Sequence, residues 1–323
     1  MSGERELLQR LIEGPVSGDA LARDAGLTRA AMWKRIEALR DGGVQIEARP
    51  GRGYALATPI ELLDPADIRA RIDAAARVHL ARLDVAWSLD STNSELLRRA
   101  APDAGVAVLL AEQQTVGRGR RGRQWASPMA TNLYVSFSRQ FSGGLARLGG
   151  LSLVAGIAVA EALHQAGYPQ VALKWPNDLV VDGRKLGGVL VEGGGEHGGP
   201  VRAVVGIGVN VRMPATTAAQ IDQPWVDLAT LSPAALSRNA IAAQLVSALL
   251  PALDQFDRDG LAPFLPRFAA LDALAGCDVT LHATAGGETH GMAEGIGGDG
   301  ALRVRVGDAM QYVHAGEVSV RTP

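Results

Sequence analysis

The first 57 residues carry three helical stripes of apolar residues, followed by a segment with strand-like alternation. The stripes are Leu7, Leu8, Leu11 and Ile12; then Leu21 and Ala25; then Met32, Ile36 and Leu39. Ser17 and Thr28 are suited to cap the second and third helices, because their hydroxyls can accept amide hydrogen bonds. After Asp41-Gly42-Gly43 the pattern alternates around a turn at Pro50-Gly51, which indicates a hairpin. Three helices and a hairpin predict a winged helix-turn-helix at 1–57.

A long middle region, 68–272, alternates strand-like runs with amphipathic helices. Residues 58–67 contain two prolines and predict a linker before it. Strands are expected at 106–111, 133–137, 171–174, 188–191 and 201–211, and helices at 93–101, 148–165, 234–257 and 261–270. This order predicts an α/β domain with one mixed sheet.

The last segment, 273–323, changes to short alternating strands separated by glycine-rich turns. Strands are expected at 279–282, 289–295, 302–306 and 318–320. This spacing predicts a small β-barrel. The fold class is therefore a multidomain α+β protein.

Composition narrows the class of protein. The 323 residues include 32 Lys and Arg against 34 Asp and Glu, so the net charge of −2 argues against a basic nucleic-acid coat. One cysteine excludes an intramolecular disulfide, and the six histidines lack metal-ligand spacing, so no metal site is expected. The chain has no apolar run that could span a membrane and no signal-peptide core at its start. These features predict a soluble, cytoplasmic protein.

Positive charge is concentrated in the third helix and the hairpin. Between residues 28 and 53, six basic and three acidic residues leave a local charge of +3. Such a patch suits contacts with phosphates. The candidate DNA-binding residues are Arg29, Trp33, Lys34, Arg35, Arg49 and Arg52. The alternative is a three-helix module that binds another protein and has solvated charges.

Residues 117–125, here named the Gly-Arg loop, read Gly-Arg-Gly-Arg-Arg-Gly-Arg-Gln-Trp. Its first six letters match a dinucleotide fingerprint, but no helical pattern follows, so that interpretation is rejected. Four arginines without an acid repel one another, and the loop is expected to be disordered when empty and to order around an anion. A solvated basic loop or an RNA-binding tract is the alternative.

Two strand-associated segments can also carry chemistry. Lys174-Trp175-Pro176-Asn177-Asp178 follows one strand, and Lys185 enters the next beside two glycines, where it can project into a cleft. A hairpin with an exposed lysine is the alternative. The run 206–210 is an apolar strand of small residues that ends in Asn210.

Small polar residues are gathered at the start of one predicted helix. Thr92 and Glu95 have capping-box spacing, which predicts the helix start. The neighbouring Ser91 and Asn93 can also hydrogen-bond a urea or carboxylate group. Both interpretations hold at once.

Taken in this order, these segments resemble the biotin protein ligases, and more closely the bifunctional kind that also represses the biotin operon. The resemblance covers nearly the whole chain. It rests on the winged helix, Ser91-Thr92-Asn93, Gln114, the Gly-Arg loop, and residues 174–178, 185–192, 206–210 and 316–321. It implies a central catalytic domain of the biotin/lipoate ligase type and an SH3-like C-terminal barrel.

The resemblance also implies the reaction. ATP and biotin would give biotinyl-5′-AMP and pyrophosphate, with Mg²⁺ arriving on ATP, and biotin would then pass to a lysine of biotin carboxyl carrier protein. Operator DNA and a ligand-promoted homodimer are the other expected partners. Rival hypotheses are a ligase whose winged helix does not repress, a lipoate ligase, and a non-catalytic ligand-sensing transcription factor.

The implied site residues fall into three groups. The biotin-binding residues would be Ser91, Thr92, Asn93, Gln114, Arg118, Gly119, Arg120 and Lys185. The ATP-binding residues would be Arg123, Trp125, Lys174, Asn177, Lys185 and Asn210. Lys185, Arg118 and Arg120 would be catalytic, because joining a carboxylate to a phosphate requires that negative charge be neutralised.

Overall fold

A computed structural model of the chain describes residues 2–49, 51–142, 144–195, 201–232, 236–283, 287–315 and 318–321. Its strands form a two-stranded hairpin, a seven-stranded mixed sheet and a five-stranded antiparallel sheet. No helix within the described residues is long and apolar enough to cross a membrane.

The N-terminal module has the predicted elements. They are α1 (Ser2–Ile12), α2 (Gly18–Asp24), α3 (Arg29–Asp41), β1 (Ile46–Arg49) and β2 (Gly53–Leu56). The Ser17 hydroxyl accepts the amide of residue 20 at 3.1 Å, and the Thr28 hydroxyl accepts that of residue 31 at 3.2 Å. Both predicted caps are confirmed. The helical spacing of Leu7, Leu8, Leu11 and Ile12 is confirmed as well, although Ile12, the last residue of α1, is 38% exposed.

The segment expected to be a linker, 58–67, is packed into the structure. Helix α4 (Pro65–Arg71) begins inside it with Asp64 as N-cap, and Leu63 is fully buried. The Leu63 amide donates to the Glu112 carboxylate, which is also paired with Arg238 at 2.8 Å. The two charged side chains are at most 5% exposed. The two prolines therefore mark an anchored connection rather than an open one.

The central region is built on one seven-stranded sheet. Its strands are β3 (Leu80–Leu89), β4 (Val106–Gln114), β5 (Leu133–Phe141), β6 (Ala172–Lys174), β7 (Asp178–Val181), β8 (Arg184–Gly195) and β9 (Val201–Val209). The order is β3-β4-β5-β9-β8-β7-β6, with β3 parallel to β4 and the other neighbours antiparallel. The predicted mixed sheet is confirmed, but β3 and β7 were not predicted.

Helices cover both faces of this sheet. They are α5 (Ala74–Arg77), α6 (Thr92–Arg98), α7 (Leu151–Gln165), α8 (Ala215–Ala218), α9 (Leu228–Leu231), α10 (Arg238–Asp259) and α11 (Leu265–Leu271). The long helices α7 and α10 pack on each other and on one face, where the apolar core lies. Helix α6 packs on the opposite face through Leu96, against Leu109 and Val204. The α6 face is left only partly covered, and the cleft described below lies there.

The C-terminal strands form a sheet of five, one more than predicted. They are β10 (Asp278–Ala283), β11 (Glu288–Ile296), β12 (Leu302–Val306), β13 (Ala309–Val313) and β14 (Val318–Arg321), in the order β13-β12-β11-β10-β14. In the part of the chain that the structure describes, no ladder joins β13 to β14. The Trp175 indole donates to the Gly300 carbonyl at 3.0 Å and ties this module to the central one.

Some sequence-based expectations fall outside the described residues. These are the turn at Pro50, residues 196–199 of the glycine-rich run 193–199, which the sequence predicts as a hairpin tip, the predicted helix start at 234, and residues 316 and 317 of the C-terminal motif.

The winged helix contacts the central module directly after the Gly-Arg loop. Met129 and Ala130 are buried among the apolar residues of the N-terminal module. The Met129 amide donates to the Gly42 carbonyl at 2.8 Å, just past the end of α3. Gly43 has a φ of +102°, and a Cβ there would lie 2.8 Å from that of Pro128. Helix α3, the recognition helix of the winged helix-turn-helix, therefore ends against Pro128–Ala130, which follow the Gly-Arg loop.

Candidate active site

A cleft of about 530 Å³ opens on the α6 face of the sheet. It is enclosed by the start of α6, the Gly-Arg loop, the β6–β7 turn and strands β8 and β9. Every predicted biotin- or ATP-binding residue lines it except Asn210. Segments separated by more than a hundred residues along the chain therefore meet in one place, as the resemblance implied.

The start of α6 places small polar groups at one end of the cleft. Ser91 is the N-cap, not Thr92 as the capping-box spacing predicted, and Glu95 pairs instead with Arg98 and Arg99 at the C-terminal end of α6. The Thr92 amide and hydroxyl both donate to Gln114 Oε1, at 2.9 and 3.1 Å. Ser91 and Thr92 are each 4% exposed. Fixed, buried hydroxyl and amide groups suit a polar, uncharged ring.

Asn93 is held on three sides. Its Nδ2 donates to the Leu190 carbonyl at 3.2 Å and to Glu192 Oε2 at 2.8 Å. Ser136 Oγ lies 2.6 Å from its Oδ1. A Cβ at Gly206 would collide with its amide, so the glycine allows Asn93 to lie against β9. Both Nδ2 hydrogens and Oδ1 have partners within the protein, so Asn93 is held rigidly where it lines the cleft.

Trp125 uses the next glycine on the same face of β9. A Cβ at Gly208 would lie 2.5 Å from the indole Cε2, so the ring rests on bare backbone. Its Nε1 is buried, and it has no hydrogen-bond partner among the residues that the structure describes. Because strand residues two apart share a face, the glycines at 206 and 208 make room for Asn93 and Trp125 in turn.

We expect Gly208→Ala to raise the KM for ATP by about tenfold, because overpacking typically costs 1–3 kcal/mol and here displaces the Trp125 ring. The matched control is Gly194→Ala on β8, where an added Cβ meets no atom within 4 Å. Steady-state kinetics at saturating biotin would measure both variants. An unchanged KM for Gly208→Ala would mean that the indole position does not matter to the nucleotide.

The Gly-Arg loop folds as a small hairpin. The Gly119 amide donates to the Arg123 carbonyl at 2.7 Å, and the Trp125 amide donates to the Gly117 carbonyl at 2.9 Å. Arg121 occupies the left-handed region with φ 56°. The structure shows the loop folded, because acidic and amide partners come from other elements, which the local sequence does not reveal. The expected disorder of the empty loop stays a prediction.

Two loop arginines reach those partners. Arg118 Nη2 donates to Glu192 Oε1 at 2.9 Å, and Arg120 Nη1 donates to Asn177 Oδ1 at 3.0 Å. Burial, and secondarily the charge of Arg121, lowers the pKa of the Arg120 guanidinium from its ordinary value. A partly desolvated guanidinium interacts more strongly with an anion than one in open water.

Lys185 is the central cation of the cleft. Its Nζ lies 2.7 Å from Asp178 Oδ1 and 5.6 Å from the Trp125 ring centroid, and the side chain is 19% exposed. Its backbone is fixed separately, since the amide donates to the Pro224 carbonyl and the carbonyl accepts the Val226 amide, both at 2.9 Å. The ammonium is thus presented to the cleft from a rigid strand.

Asn210, expected to bind the nucleotide, is placed behind the cleft wall. It is 4% exposed, and its Nδ2 donates to the Val226 carbonyl at 3.1 Å and the Lys185 carbonyl at 3.4 Å. The side-chain amide of Asn210 therefore joins the end of β9 to β8, the strand that carries Lys185. Its contacts are with backbone carbonyls beside the cleft.

Sequence reasoning missed Glu192 and Ser136. Glu192 stands 74 residues from Arg118, and Ser136 is a fully buried residue inside a predicted strand. A charged or hydroxyl residue in an otherwise apolar strand was the available signal, because buried polar groups need a partner. The role of Asp178 as the partner of Lys185 was likewise not predicted.

The predicted DNA-binding residues are not equally exposed. Trp33 is 54% exposed on α3, beside exposed Arg29 and Lys34. Arg35 comes two residues after Trp33, which is about half a helical turn, so it lies on another side of α3. There its guanidinium lies against the Gly3 backbone of α1. Arg29 pairs with Asp19 at 3.1 Å and Arg49 with Glu47 at 3.0 Å, on exposed surfaces. Arg52 is exposed in the hairpin turn.

Comparison with known proteins agrees with this site. Family models match an HTH domain at residues 4–55, the Biotin/lipoate A/B protein ligase family at 85–210, and the Biotin protein ligase C terminal domain at 278–321. The bifunctional ligase/repressor BirA of Escherichia coli (strain K12) is 40% identical over 308 residues, which cover 95% of this chain and 93% of that protein.

Two further relatives match nearly three quarters of the chain or more. The biotin–[acetyl-CoA-carboxylase] ligase of Paracoccus denitrificans is 35% identical over 239 residues, which cover 71% of this chain and 96% of that protein. The solved biotin protein ligase from Aquifex aeolicus, in complex with biotin and ATP, superposes with a TM-score of 0.62 at 26% identity, covering 75% of this chain and 100% of that one. The resemblance inferred from the motifs is confirmed: the chain belongs to the family of bifunctional biotin ligase/repressors, within the biotin/lipoate A/B protein ligases.

Proposed function

We propose that the protein activates biotin with ATP as biotinyl-5′-AMP and transfers the biotinyl group to a lysine of biotin carboxyl carrier protein. The observation that carries the proposal is the cleft itself. Buried small polar groups at the start of α6 stand at one end, and the cations Arg118, Arg120 and Lys185 converge beside them. A neutral ring with a carboxylate tail, next to a polyphosphate, fits this division.

In the first step, a biotin carboxylate oxygen attacks the α-phosphorus of ATP. A bond forms between the carboxylate oxygen and the α-phosphorus, and the bond between that phosphorus and the oxygen that bridges it to the β-phosphorus breaks. Pyrophosphate leaves with the electron pair of the broken bond. Two anions must approach each other, so Lys185 and the loop arginines act by neutralising charge that grows in the transition state. Trp125, with its face on Gly208, would support the adenine.

In the second step, the amine of the acceptor lysine attacks the carbonyl carbon of the adenylate. An amide bond forms, AMP leaves, and the amine loses a proton. The Gly-Arg loop covers the cleft during the interval, and excluding water there protects the mixed anhydride from hydrolysis.

Mg²⁺ would enter with ATP and shield its phosphates. In the residues that the structure describes, no group of three or more His, Cys, Asp or Glu side chains is placed to hold a metal ion by itself. A divalent ion that keeps most of its waters and binds substrate phosphates needs no such cage.

The decisive experiment is an assay of pyrophosphate release with biotin and ATP together and each alone, followed by transfer of labelled biotin to a purified carrier domain. Release that requires both substrates, and label on the carrier, is expected. Lipoate in place of biotin tests the lipoate ligase hypothesis, and absence of turnover with either would leave the ligand-sensing transcription factor.

We further propose that the winged helix binds operator DNA as a biotin-responsive repressor, and that the adenylate promotes a homodimer which aligns two recognition helices. Support comes from the exposed α3 face and from its seat on Pro128–Ala130, next to the cleft. The domain boundaries proposed are 1–57, 68–272 and 273–323, and the compartment proposed is the cytoplasm. A ligase with a non-repressing winged helix is the alternative.

Exchange of Trp33 and Lys34 for alanine is expected to weaken operator binding by about a hundredfold without changing pyrophosphate release, because a base or phosphate contact is worth about 1–3 kcal/mol each. Gel shifts on the control region of the biotin operon, with and without biotinyl-AMP, measure it. The control is Arg10→Ala on α1, whose side chain pairs with Glu13 and with Asp24 of α2. Operator binding that adenylate fails to tighten would support the ligase-only alternative.

A further inference from the structure

Glu192 joins two parts of the cleft that the chain brings together from distant positions. It lies on β8, and its carboxylate accepts Arg118 Nη2 from the Gly-Arg loop at 2.9 and 3.1 Å. Its Oε2 also accepts Asn93 Nδ2, at the start of α6, at 2.8 Å. One carboxylate therefore fixes a loop residue and a residue of the polar end of the cleft at the same time.

The side of β8 on which Glu192 stands explains this reach. Val189 and Val191 pack with the apolar core, although Val189 also borders the cleft, which Gly188 and Leu190 line. Glu192 falls on the side of β8 that carries Gly188 and Leu190. Up to Gly188 the strand is bordered by β7, and beyond it the ladders of the described residues join β8 to β9 alone. The Glu192 side chain can thus meet the loop where β7 no longer stands beside its strand.

The charges around the cleft explain what the contact between Glu192 and Arg118 does. The cleft is lined by Arg118, Arg120, Arg121, Arg123, Lys174 and Lys185. Of the carboxylates near them, Asp178 is bound to Lys185, and Glu192 is bound to Arg118. A loop of like charges needs an anion to close over the cleft, and Glu192 supplies one that is part of the protein and present before any ligand binds.

We propose that Glu192 is a positioning residue for adenylate formation and retention, which holds the Gly-Arg loop closed through Arg118 and aligns Asn93 for biotin. The proposal rests on the ligase function above and deepens it. Glu192 accepts hydrogen bonds from Nη2 of Arg118, so the other guanidinium nitrogens of Arg118 can face the ligand. The carboxylate acts through these two residues and does not touch the reacting atoms.

The test uses Glu192→Gln in the full-length protein, with Glu161→Gln as control. Glu161 is also paired with a single arginine, Arg267, but on the remote face of the sheet. Glu192→Gln is expected to raise the KM for biotin about fivefold to tenfold and to lower kcat for pyrophosphate release by less, because neutral hydrogen bonds are about half as strong as charged ones. Escape of adenylate, trapped by hydroxylamine, is expected to rise by a similar factor.

A second measurement does not depend on catalysis. Limited trypsin digestion without ligand should cut the arginines of the Gly-Arg loop several-fold faster in Glu192→Gln than in wild type or the control. If the wild type proved inactive with biotin, this difference in cleavage would still show whether the contact between Glu192 and Arg118 holds the loop closed. Equal cleavage rates in all three proteins would overturn the proposal whatever the activity.

A double-mutant cycle separates the two contacts. With Arg118→Gln already present, Glu192→Gln is expected to add nothing further to adenylate escape, yet still to raise the KM for biotin through Asn93. Independent, multiplicative effects on the escape of adenylate would contradict closure of the loop through the Glu192–Arg118 contact. A wild-type KM for biotin in Glu192→Gln would contradict the alignment of Asn93. Thermal melting checks that each variant is folded, and Glu192→Asp provides a second, milder variant.

Discussion

Lys185→Ala is expected to slow adenylate formation by a factor on the order of 10²–10³, the usual effect of removing one preorganised charge from a transition state. Lys185 lines the cleft, and its Nζ lies 2.7 Å from Asp178 Oδ1 and 5.6 Å from the Trp125 ring centroid. The backbone of residue 185 is bonded to Pro224 and Val226, so removing the side chain leaves β8 in place. Pyrophosphate release in a single turnover is the direct measurement.

The controls for this prediction address charge and stability separately. Arg184→Ala removes the same charge one position away on the same strand, where the side chain pairs with Asp182 and does not line the cleft. Lys185→Gln keeps most of the side-chain volume and leaves Asp178 a hydrogen-bond donor. We expect Arg184→Ala to behave as wild type and Lys185→Gln to lose adenylation. Pyrophosphate release near the wild-type rate in both Lys185 variants would exclude the lysine as the charge stabiliser.

The predictions that succeeded depended on local patterns. The caps at Ser17 and Thr28, the buried stripe of α3 and the glycine-bearing strand β9 each follow from spacing within a few residues. Periodicity alone failed for β3, whose charged and half-buried residues do not alternate, and for β7, which follows directly on the Pro-Asn turn. Edge position and short length remove the signal on which such predictions rest.

The contacts that define the cleft could not be predicted from spacing. Glu192 and Arg118 are separated by 74 residues, and Asn210 bonds to Lys185 through the backbone. The resemblance placed these segments in one site, but it did not assign their partners. The net charge of −2 showed the same limit, because it averaged away a loop of four arginines, of which Arg118 pairs with Glu192 on β8.

Arg120→Gly is expected to release biotinyl-AMP into solution and to increase biotin on bystander lysines by about tenfold or more, because a charged hydrogen bond contributes about 1.5–3 kcal/mol. Arg120 Nη1 ties the loop to Asn177 at 3.0 Å, and Asn177 is itself anchored by a 2.9 Å bond from its Nδ2 to the Val189 carbonyl. Without that tie, the loop can open while the adenylate is still intact. Incubation with biotin, ATP and a protein that is not a carrier, followed by quantification of labelled lysines, measures the leak.

A comparison within the same loop distinguishes loss of the tie from loss of charge. Arg121→Gly also removes one arginine and adds one glycine, but residue 121 has a φ of 56°, which glycine adopts without strain. It should therefore disturb the loop less, and we expect fewer labelled bystanders than for Arg120→Gly. Equal labelling by the two variants would mean that total loop charge retains the adenylate. Normal acceptor specificity in Arg120→Gly would mean that the loop does not act as a lid. The adenylate would then be retained without the hydrogen bond between Arg120 and Asn177, so another part of the protein would have to prevent its escape.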